Sequence, residues 1–531
     1  MKKKLLTIAV TAAMVFSLVA CGSNGGSNET KAVETSASET AAESAVSEGD
    51  GEKTLKAGAT TGFFGAESLD PANNWDGWIM SIYGISENLF RLDDNLAPQP
   101  WLVDSYENTD DTTWVFTLKD GITFSNGNAV TAEAVKKCFE RTYNNNTRAA
   151  STLKIDSMEA DGQILTIHTP EANPTILNDL CDPMFGVYDA ESEIDPELGA
   201  SCTGPYVATA FTAMTEVKMD KNSNYWGGDP AIDHIELKIM DDVDALNMAL
   251  QNGEIDMIAQ LPAASASLFS DTDTYTIGAA TSTRSQFLQF NLESEALKDV
   301  NIRKAISMCI DREGYADVVF AGYAKPSYGI YPDTLSYGGT DGINLSVDKY
   351  DTEAAKALVE AAGYTPEKPL ELKLVTYSYN TGLLQMTDML QPELEAIGIK
   401  LSIETYDVLD DVLQAGNFDI AALSYALAPT GNAQYLINML FVSDGTDNYG
   451  HYSNLDVDAD AQKLETTFDT SERDAIVKDL TQKVVDDCPD AFIASQQLLI
   501  VYNIVYNNKV TGVDVNPSEY YLITNTLDIA E

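Results

Sequence analysis

QFLQFNLESEALKDVNIRKAISMCIDR, residues 286–312, carries the pattern from which the fold can be predicted. Apolar and polar side chains alternate from Phe287 to Leu292, which predicts a strand. An acidic loop follows, and Asn301 is predicted to be the N-cap of a helix. Apolar side chains then recur at helical spacing on one face: Ile302, Ala305, Ile306 and Cys309. Asp311 is predicted to cap the next helix. The pattern fits a strand–loop–helix unit of an α/β protein, just past the middle of the chain, where a second lobe could begin.

The first twenty residues have the pattern of a secretory signal. Three lysines precede an apolar run over residues 5–19, which ends in Leu-Val-Ala before Cys21. The run is too short for a comfortable membrane span. A cysteine after Leu-x-Ala resembles the bacterial lipoprotein box, so Cys21 is predicted to become the lipidated first residue of the mature chain. The alternative is an ordinary signal peptide with a chance cysteine.

Residues 21–53 are predicted to form the lipidated cysteine and a disordered acidic linker. After Cys21, they are almost entirely small or polar, with no aromatic side chain. Such a segment cannot bury enough apolar surface to fold. A flexible chain of about thirty residues spans roughly 30 Å, which suits a domain held just off a membrane surface.

Composition limits the classes of function. The chain has 531 residues, enough for two or three domains, and its 32 Lys and Arg against 82 Asp and Glu give a formal net charge of −50. So acidic a protein repels nucleic acid and anionic lipid headgroups. We interpret the high negative charge as a feature that keeps the protein soluble outside the cell.

The six cysteines show no CxxC and no zinc-like spacing. Cys138 and Cys309 lie on apolar helix faces and are predicted to be buried thiols. A disulfide between Cys181 and Cys202 is conceivable, and the sequence leaves it open.

Several motifs occur in the order typical of one family. A predicted hairpin precedes the helix start Thr131-Ala132-Glu133; Thr203-Gly204-Pro205-Tyr206 and Asn224-Tyr225-Trp226-Gly227 follow, and then NIRKAISMCIDRE, residues 301–313. With these motifs the chain resembles the extracytoplasmic solute-binding proteins of family 5, the peptide- and nickel-type receptors of ABC importers. The resemblance runs from about Leu55 to the C-terminus.

The resemblance implies a two-lobed α/β periplasmic-binding-protein fold with mixed sheets, joined by a hinge of two crossing segments. After the signal (1–20) and the linker (21–53), lobe one would comprise residues 54–285, with an extra subdomain over about 90–200. Lobe two would comprise 286–500, and 501–531 would return to lobe one.

No catalytic motif accompanies this fold. G-x-S-x-G, G-x-x-x-x-G-K-[ST] and H-E-x-x-H are all missing from the sequence. We therefore expect no enzyme activity, no cofactor and no resident metal. A secreted hydrolase would need a nucleophile–base pair, and a passive surface lipoprotein would be expected to carry repeats; the sequence shows neither.

Candidate ligand contacts come from aromatic residues and from the resemblance. Trp75 and Trp78 lie in a loop predicted to precede the first helix, where tryptophan either packs or binds. The resemblance aligns Arg148 with an arginine that meets the carboxylates of a metal chelator in nickel-type receptors, although most arginines in such polar stretches are solvated. It aligns Tyr425 with an aromatic side chain that lines that pocket.

The chain departs from both ligand classes of the family. Met184 stands where nickel-type receptors have a second chelator-binding arginine. The metal-contacting histidine falls near Asp444, and His451 follows seven residues later, so we include His451 among the candidates. Peptide-type receptors carry an aspartate shortly after the aromatic residue, and residues 428–432 contain none. The ligand class therefore stays open between a peptide and a nickel or other metal chelate.

The expected protein is a monomeric receptor at the outer face of the cytoplasmic membrane, held there by a lipid on Cys21. It would deliver a small ligand to the permease subunits of an ABC transporter and would bind no nucleic acid.

Overall fold

Two long strands pair along the centre of the protein. The computed structural model describes residues 51–60, 64–345, 350–503 and 509–530. The predicted strand at 287–292 is the end of a 16-residue strand, Tyr275–Phe290, which pairs antiparallel with Asp490–Asn503. We call these the first and second crossing strands. Their register is interrupted between Thr281 and Ser285, which is the signature of a bulge.

The crossing strands lie inside one mixed sheet of eleven strands. In spatial order its members are Ile399–Tyr406, Leu370–Tyr377, Ile420–Ala426, Tyr275–Phe290, Asp490–Asn503, Met257–Ile258, Thr54–Ala59, His234–Ile239, Glu216–Lys221 and Tyr206–Thr212, with Ala324–Pro326 also paired to the second crossing strand. The sheet is continuous, so the predicted boundary at 285/286 falls within a strand. The domain limits stay a prediction.

Three smaller sheets accompany it. A four-stranded sheet contains Val103–Asp110, Thr113–Leu118, Ile164–His168 and Ser157–Asp161 in that order. Two-stranded sheets pair Phe90–Leu92 with Pro98–Pro100 and Lys509–Thr511 with Asp528–Ala530.

Helices cover these sheets, and none in the described part of the chain is both long enough and apolar enough to cross a membrane. The α-helices are Asp76–Ile82, Ala132–Asn145, Ala149–Thr152, Ile176–Asp179, Val243–Gln251, Val300–Met308, Arg312–Val319, Thr352–Ala361, Thr381–Ala396, Asp410–Gln414, Ala433–Leu436, Leu455–Leu464 and Thr470–Asp487.

The helix caps follow local sequence, with one correction. Thr131 and Asp311 cap their helices as predicted, by accepting hydrogen bonds from the backbone N–H groups of Ala134 and Gly314. The prediction for Asn301 is wrong. Asp299 is the N-cap, and its carboxylate accepts from the backbone N–H of Asn301 at 2.9 Å. A carboxylate two residues earlier satisfies the same orphan donor.

The two arginines of the 301–313 motif are buried, and they bind backbone carbonyls within or just before the second crossing strand. Arg303 donates to the carbonyl of Cys488 at 2.8 Å, and Arg312 donates to the carbonyls of Phe492 at 2.7 Å and Ser307 at 3.0 Å. A guanidinium has five donors and needs several acceptors when it is buried. This motif therefore acts in the scaffold.

Tyr225 and Trp226 of the 224–227 motif meet Trp101 at one half-buried carboxylate, and we call this group the Glu87 cluster. One oxygen of Glu87 accepts from Trp101 Nε1 and from the Tyr225 hydroxyl, both at 2.9 Å, and the other accepts from Trp226 Nε1 at 2.9 Å. Burial raises the pKa of Glu87, and these hydrogen bonds oppose the rise. Segments far apart in the sequence are thereby tied to one point.

The described cysteines are free thiols. Cys138 and Cys309 are buried as predicted, and Cys181 and Cys202 are buried without forming a disulfide. Cys21, the signal and nearly all of the linker lie outside the described residues.

Candidate functional site

A cavity of about 1190 Å³ opens beside the crossing strands. Its volume is ample for a drug-sized solute. Four of the predicted contacts line it, namely Trp75, Trp78, Arg148 and Tyr425. His451 is not among the lining residues. Segments from both halves of the chain thus meet at one space, which the sequence alone does not show.

The two tryptophans stand at the start of the first described helix. Trp75 is the N-cap of Asp76–Ile82 and Trp78 lies within it, which corrects the predicted loop. The helix begins early because Asp76 anchors the preceding segment, accepting from the backbone N–H of Ser68 at 2.9 Å and from Asn73 Nδ2 at 2.8 Å. Trp75 remains 47% exposed. The two indole rings meet edge to face, with centroids 5.7 Å apart.

Arg148 lies over the exposed tryptophan. Its guanidinium carbon is 3.5 Å from the Trp75 ring centroid, a cation–π contact. Its Nη2 is 3.8 Å from Asp182 Oδ2, too far for a hydrogen bond. The side chain keeps 28% of its surface exposed. The guanidinium is therefore oriented by an aromatic face and only loosely paired with a carboxylate.

Two buried aspartates lie in the same wall. Asp182 accepts from the backbone N–H of Met184 at 3.0 Å, and Asp179 accepts from Asn173 Nδ2 at 3.0 Å. Burial raises the pKa of Asp182, while nearby Arg148 lowers it. Burial also raises the pKa of Asp179 to about 7, and the neighbouring Asp182 adds to the rise.

A second guanidinium comes from a residue that sequence reasoning missed. Met184, the position of the absent family arginine, is buried. Arg284 instead reaches the cavity from the first crossing strand. It is the one charged residue in the sequence of that strand, YTIGAATSTRSQFLQF. That isolated charge in a strand of apolar and small polar residues was the available signal.

The opposite wall combines tyrosines with a carboxylate. Tyr425 is the penultimate residue of the strand Ile420–Ala426 and packs edge to face on Phe287, with ring centroids 5.6 Å apart. Burial raises the pKa of Asp447, and a hydrogen bond with Tyr425 opposes that rise. Tyr435, from the short helix Ala433–Leu436, also lines the cavity.

His451 lies away from this space. Its Nε2 is 3.8 Å from Glu293 Oε2, and half of its side chain is exposed. In the described residues, no group of three or more His, Cys, Asp or Glu side chains is placed to hold a metal ion. The ligand role of His451 stays a prediction without support from the cavity.

Carboxylates outnumber cations in the cavity lining. The acidic members are Glu67, Asp76, Glu171, Asp179, Asp182, Asp447 and Glu465, and the basic ones are Arg148, Lys154 and Arg284. This balance favours a solute that carries positive charge, while the two arginines offer contacts for carboxylates.

The loop of residues 428–432 closes the cavity against distant segments. The carbonyl of Thr430 accepts from Asn178 Nδ2 at 2.7 Å, and that of Pro429 accepts from the Tyr520 hydroxyl at 2.6 Å. Tyr520 also packs edge to face on Trp78 at 4.9 Å. The loop is thereby tied to the wall that carries the tryptophans.

Comparison with known proteins gives consistent matches. Residues 97–448 match the family described as bacterial extracellular solute-binding proteins, family 5 Middle. The chain is 30% identical over 441 residues to the nickel-binding protein NikA of Staphylococcus aureus, covering 83% of this chain and 88% of that protein. It is 26% identical over 479 residues to the glutathione-binding protein GsiB of Pectobacterium atrosepticum, covering 86% and 90%.

Solved structures agree. The crystal structure of S. aureus NikA in complex with Ni(L-His)2 matches with a TM-score of 0.75 at 28% identity, covering 90% of this chain and all of that one. The nickel ABC transporter protein of Bacillus halodurans matches with a TM-score of 0.78 at 27% identity over the same shares.

Proposed function

Because this chain belongs to the family 5 bacterial extracellular solute-binding proteins, we propose that it binds a small solute in the cavity and delivers it to an ABC permease. Its fold is the predicted two-lobed α/β fold of periplasmic binding proteins. The relatives named above are binding proteins, not enzymes. The solute we propose is a peptide or a metal chelate.

The observation that carries this proposal is the arrangement of charge around the cavity. Arg148 is held on the Trp75 ring at 3.5 Å, and Asp179, Asp182 and Asp447 line the same space. A solute with a carboxylate and a cationic centre would complement both kinds of group. Peptides and amino-acid chelates of nickel each have these features.

Native mass spectrometry of the protein purified from its own host tests the proposal. We expect a bound species of small mass that is lost when the protein is unfolded and refolded in clean buffer. Calorimetry with glutathione and with Ni(L-His)2 then separates the two solute classes. A ligand-free protein that binds neither probe would contradict the proposed solute classes.

We further propose that the solute draws the two lobes together. In this proposal residues 54–285 and 501–531 form lobe one, with a subdomain over about 90–200, and 286–500 form lobe two. The crossing strands would be the hinge, since a few residues between lobes can absorb such a motion. A solute that touches both lobes only in the closed form favours closure, and the permease would recognise that form.

Small-angle scattering measures this closure directly. The radius of gyration should be smaller at ligand saturation than in the ligand-free protein. Unchanged dimensions at saturation, with a ligand bound to one lobe alone, would refute the hinge.

Anchoring through Cys21 is a separate proposal, supported by the basic, apolar and small-residue pattern that ends there. A lipid on Cys21 would hold the receptor at the outer face of the cytoplasmic membrane. Cys21→Ala should move the protein to the soluble fraction after cell lysis. If the variant stays with the membrane, the anchor lies elsewhere.

A further inference from the structure

Arg284 occupies an unusual place on the first crossing strand. The pairing with the second crossing strand is interrupted between Thr281 and Ser285, so Arg284 falls within the bulge. On its other side it lies opposite Ala426 of the neighbouring strand. Its side chain is 17% exposed and lines the cavity. A bulge can redirect a side chain, and here it accompanies an arginine that faces the solute space.

Glu519 is the acidic neighbour of this arginine. Its Oε2 is 3.7 Å from Arg284 Nη2, and its side chain is 8% exposed. A charge-assisted hydrogen bond measures about 2.7–2.9 Å, so a solute carboxylate could approach Arg284 more closely than Glu519 does. Glu519 itself has a backbone φ of +65°, a conformation that side-chain-bearing residues seldom adopt. Glu519 is thus a largely buried carboxylate beside the guanidinium.

The two cavity arginines act on the same region. Burial raises the pKa of Tyr435, whereas Arg148 and Arg284 both lower it. One phenol therefore lies near both guanidinium groups, although Arg148 belongs to a loop after a helix and Arg284 to a central strand. Both arginines line the same cavity.

We propose that Arg284 is a second solute-anchoring residue, which binds one carboxylate of the solute in competition with Glu519 while Arg148 binds another. This inference rests on the proposed binding function and narrows it. The solute then carries two carboxylates together with a positive centre that the cavity aspartates accept. Glutathione and a nickel complex of two amino acids both meet that description.

Two charge-removing variants separate a solute contact from a structural ion pair. Arg284→Gln removes the cation, and Glu519→Gln removes its acidic neighbour. If Arg284 binds the solute, Arg284→Gln weakens binding at least tenfold, while Glu519→Gln leaves affinity equal or higher because competition for the guanidinium is lost. If the residues merely stabilise each other, both variants weaken binding alike, and the proposal is overturned.

The measurement is calorimetric titration of the full chain with glutathione and with Ni(L-His)2. Lys325→Gln is the charge-matched control. It removes one cation from the same sheet, outside the cavity lining, where Lys325 contacts Asp333 at 3.2 Å, and we expect no change in affinity. Circular dichroism and melting temperature check folding. Arg284→Lys, which keeps the charge but loses the planar fork, should be intermediate, and it replaces Arg284→Gln if that variant does not fold.

The outcomes distinguish a failure of the proposed binding function from a failure of the proposed role of Arg284. If the wild-type protein binds neither probe, the proposed solute classes are contradicted, and the role of Arg284 is overturned with them. If the wild-type protein binds a probe and Arg284→Gln binds it equally well, the binding function stands and the role of Arg284 is wrong.

Discussion

The Glu87 cluster and the cavity differ in how closely their charged side chains are hydrogen-bonded. Glu87 is surrounded by three donors at 2.9 Å. In the cavity, Arg148 and Asp182 stand 3.8 Å apart, and Arg284 and Glu519 stand 3.7 Å apart. A buried charge is tolerated when hydrogen bonds satisfy it, so the first arrangement stabilises the scaffold. In the second, the carboxylates stand beyond hydrogen-bond distance of the guanidinium groups. The difference teaches that the 301–313 and 224–227 motifs contribute to the framework, whereas the residues that line the cavity lie outside them.

The largest effect should come from removing Glu87. Glu87→Ala leaves three donors without their acceptor, and we expect the free energy of unfolding to fall by about 3–5 kcal/mol. Urea unfolding followed by far-ultraviolet circular dichroism measures it. The control Glu295→Ala removes an exposed carboxylate paired with Lys298, where we expect less than about 0.5 kcal/mol. If Glu87→Ala lowers the free energy of unfolding by less than about 1 kcal/mol, the Glu87 cluster does not stabilise the scaffold as expected.

Arg148→Ala should weaken ligand binding much more than it lowers the stability of the fold. Loss of a partly desolvated charge contact costs about 2 kcal/mol or more, so affinity for a carboxylate ligand should fall at least tenfold by calorimetry. The free energy of unfolding should fall by only about 1 kcal/mol, the size of the lost cation–π contact with Trp75. Unchanged affinity would mean that Arg148 does not contact the ligand and is a solvated arginine.

Gly431→Ala tests the contact that the 428–432 loop makes. Gly431 has φ +69°, and an added Cβ would lie 2.0 Å from the carbonyl oxygen of Leu96. Gly416 has φ +63° with nothing within 4 Å of such a Cβ. Gly416→Ala should cost about 1 kcal/mol from the backbone alone, and Gly431→Ala should cost about 1–2 kcal/mol more. Equal costs in urea unfolding would show that the loop does not press on Leu96.

Asp179→Asn should change the pH dependence of stability. The pKa of Asp179 is about 7 in the folded protein, against an ordinary value of 3.8. The folded protein therefore binds more protons than the unfolded chain between these values, and its stability falls as pH rises through that window. The variant lacks this loss, so its advantage over wild type should grow by about 1 kcal/mol for each pH unit between pH 4 and pH 7.

Asp189→Asn is the control of opposite sign. Burial alone would raise the pKa of Asp189, but hydrogen bonds from Ser192, Asn126 and Asn128 lower it to about 2. Its stabilising contribution is lost only as pH falls from about 4 towards 2. The difference between this variant and wild type should therefore be flat from pH 4 to pH 7. A flat profile for Asp179→Asn as well would mean that Asp179 is not held in its buried environment.

Local features could be predicted because their causes are local. The caps at Thr131 and Asp311 need only a side chain and a backbone donor within one turn. The same logic placed the cap at Asn301 instead of Asp299, since either residue can accept such a bond. The sequence predicts a loop at Trp78, whereas the helix begins before it. The helix starts there because Asp76 accepts hydrogen bonds from Ser68 and Asn73. The spacing of apolar residues in the sequence does not predict those hydrogen bonds.

The sequence by itself determined the strand and helix pattern, the family and four residues that line the cavity, because periodicity and motifs are contiguous. Only the tertiary structure decided the roles of the charges. Arg303 and Arg284 both interrupt an apolar pattern, yet Arg303 donates to the carbonyls of Asp487 and Cys488 at the end of a distant helix, whereas Arg284 lines the cavity. The physical reason is that the acceptors around an arginine come from segments far away in the chain, so its partners exist only once the chain is folded.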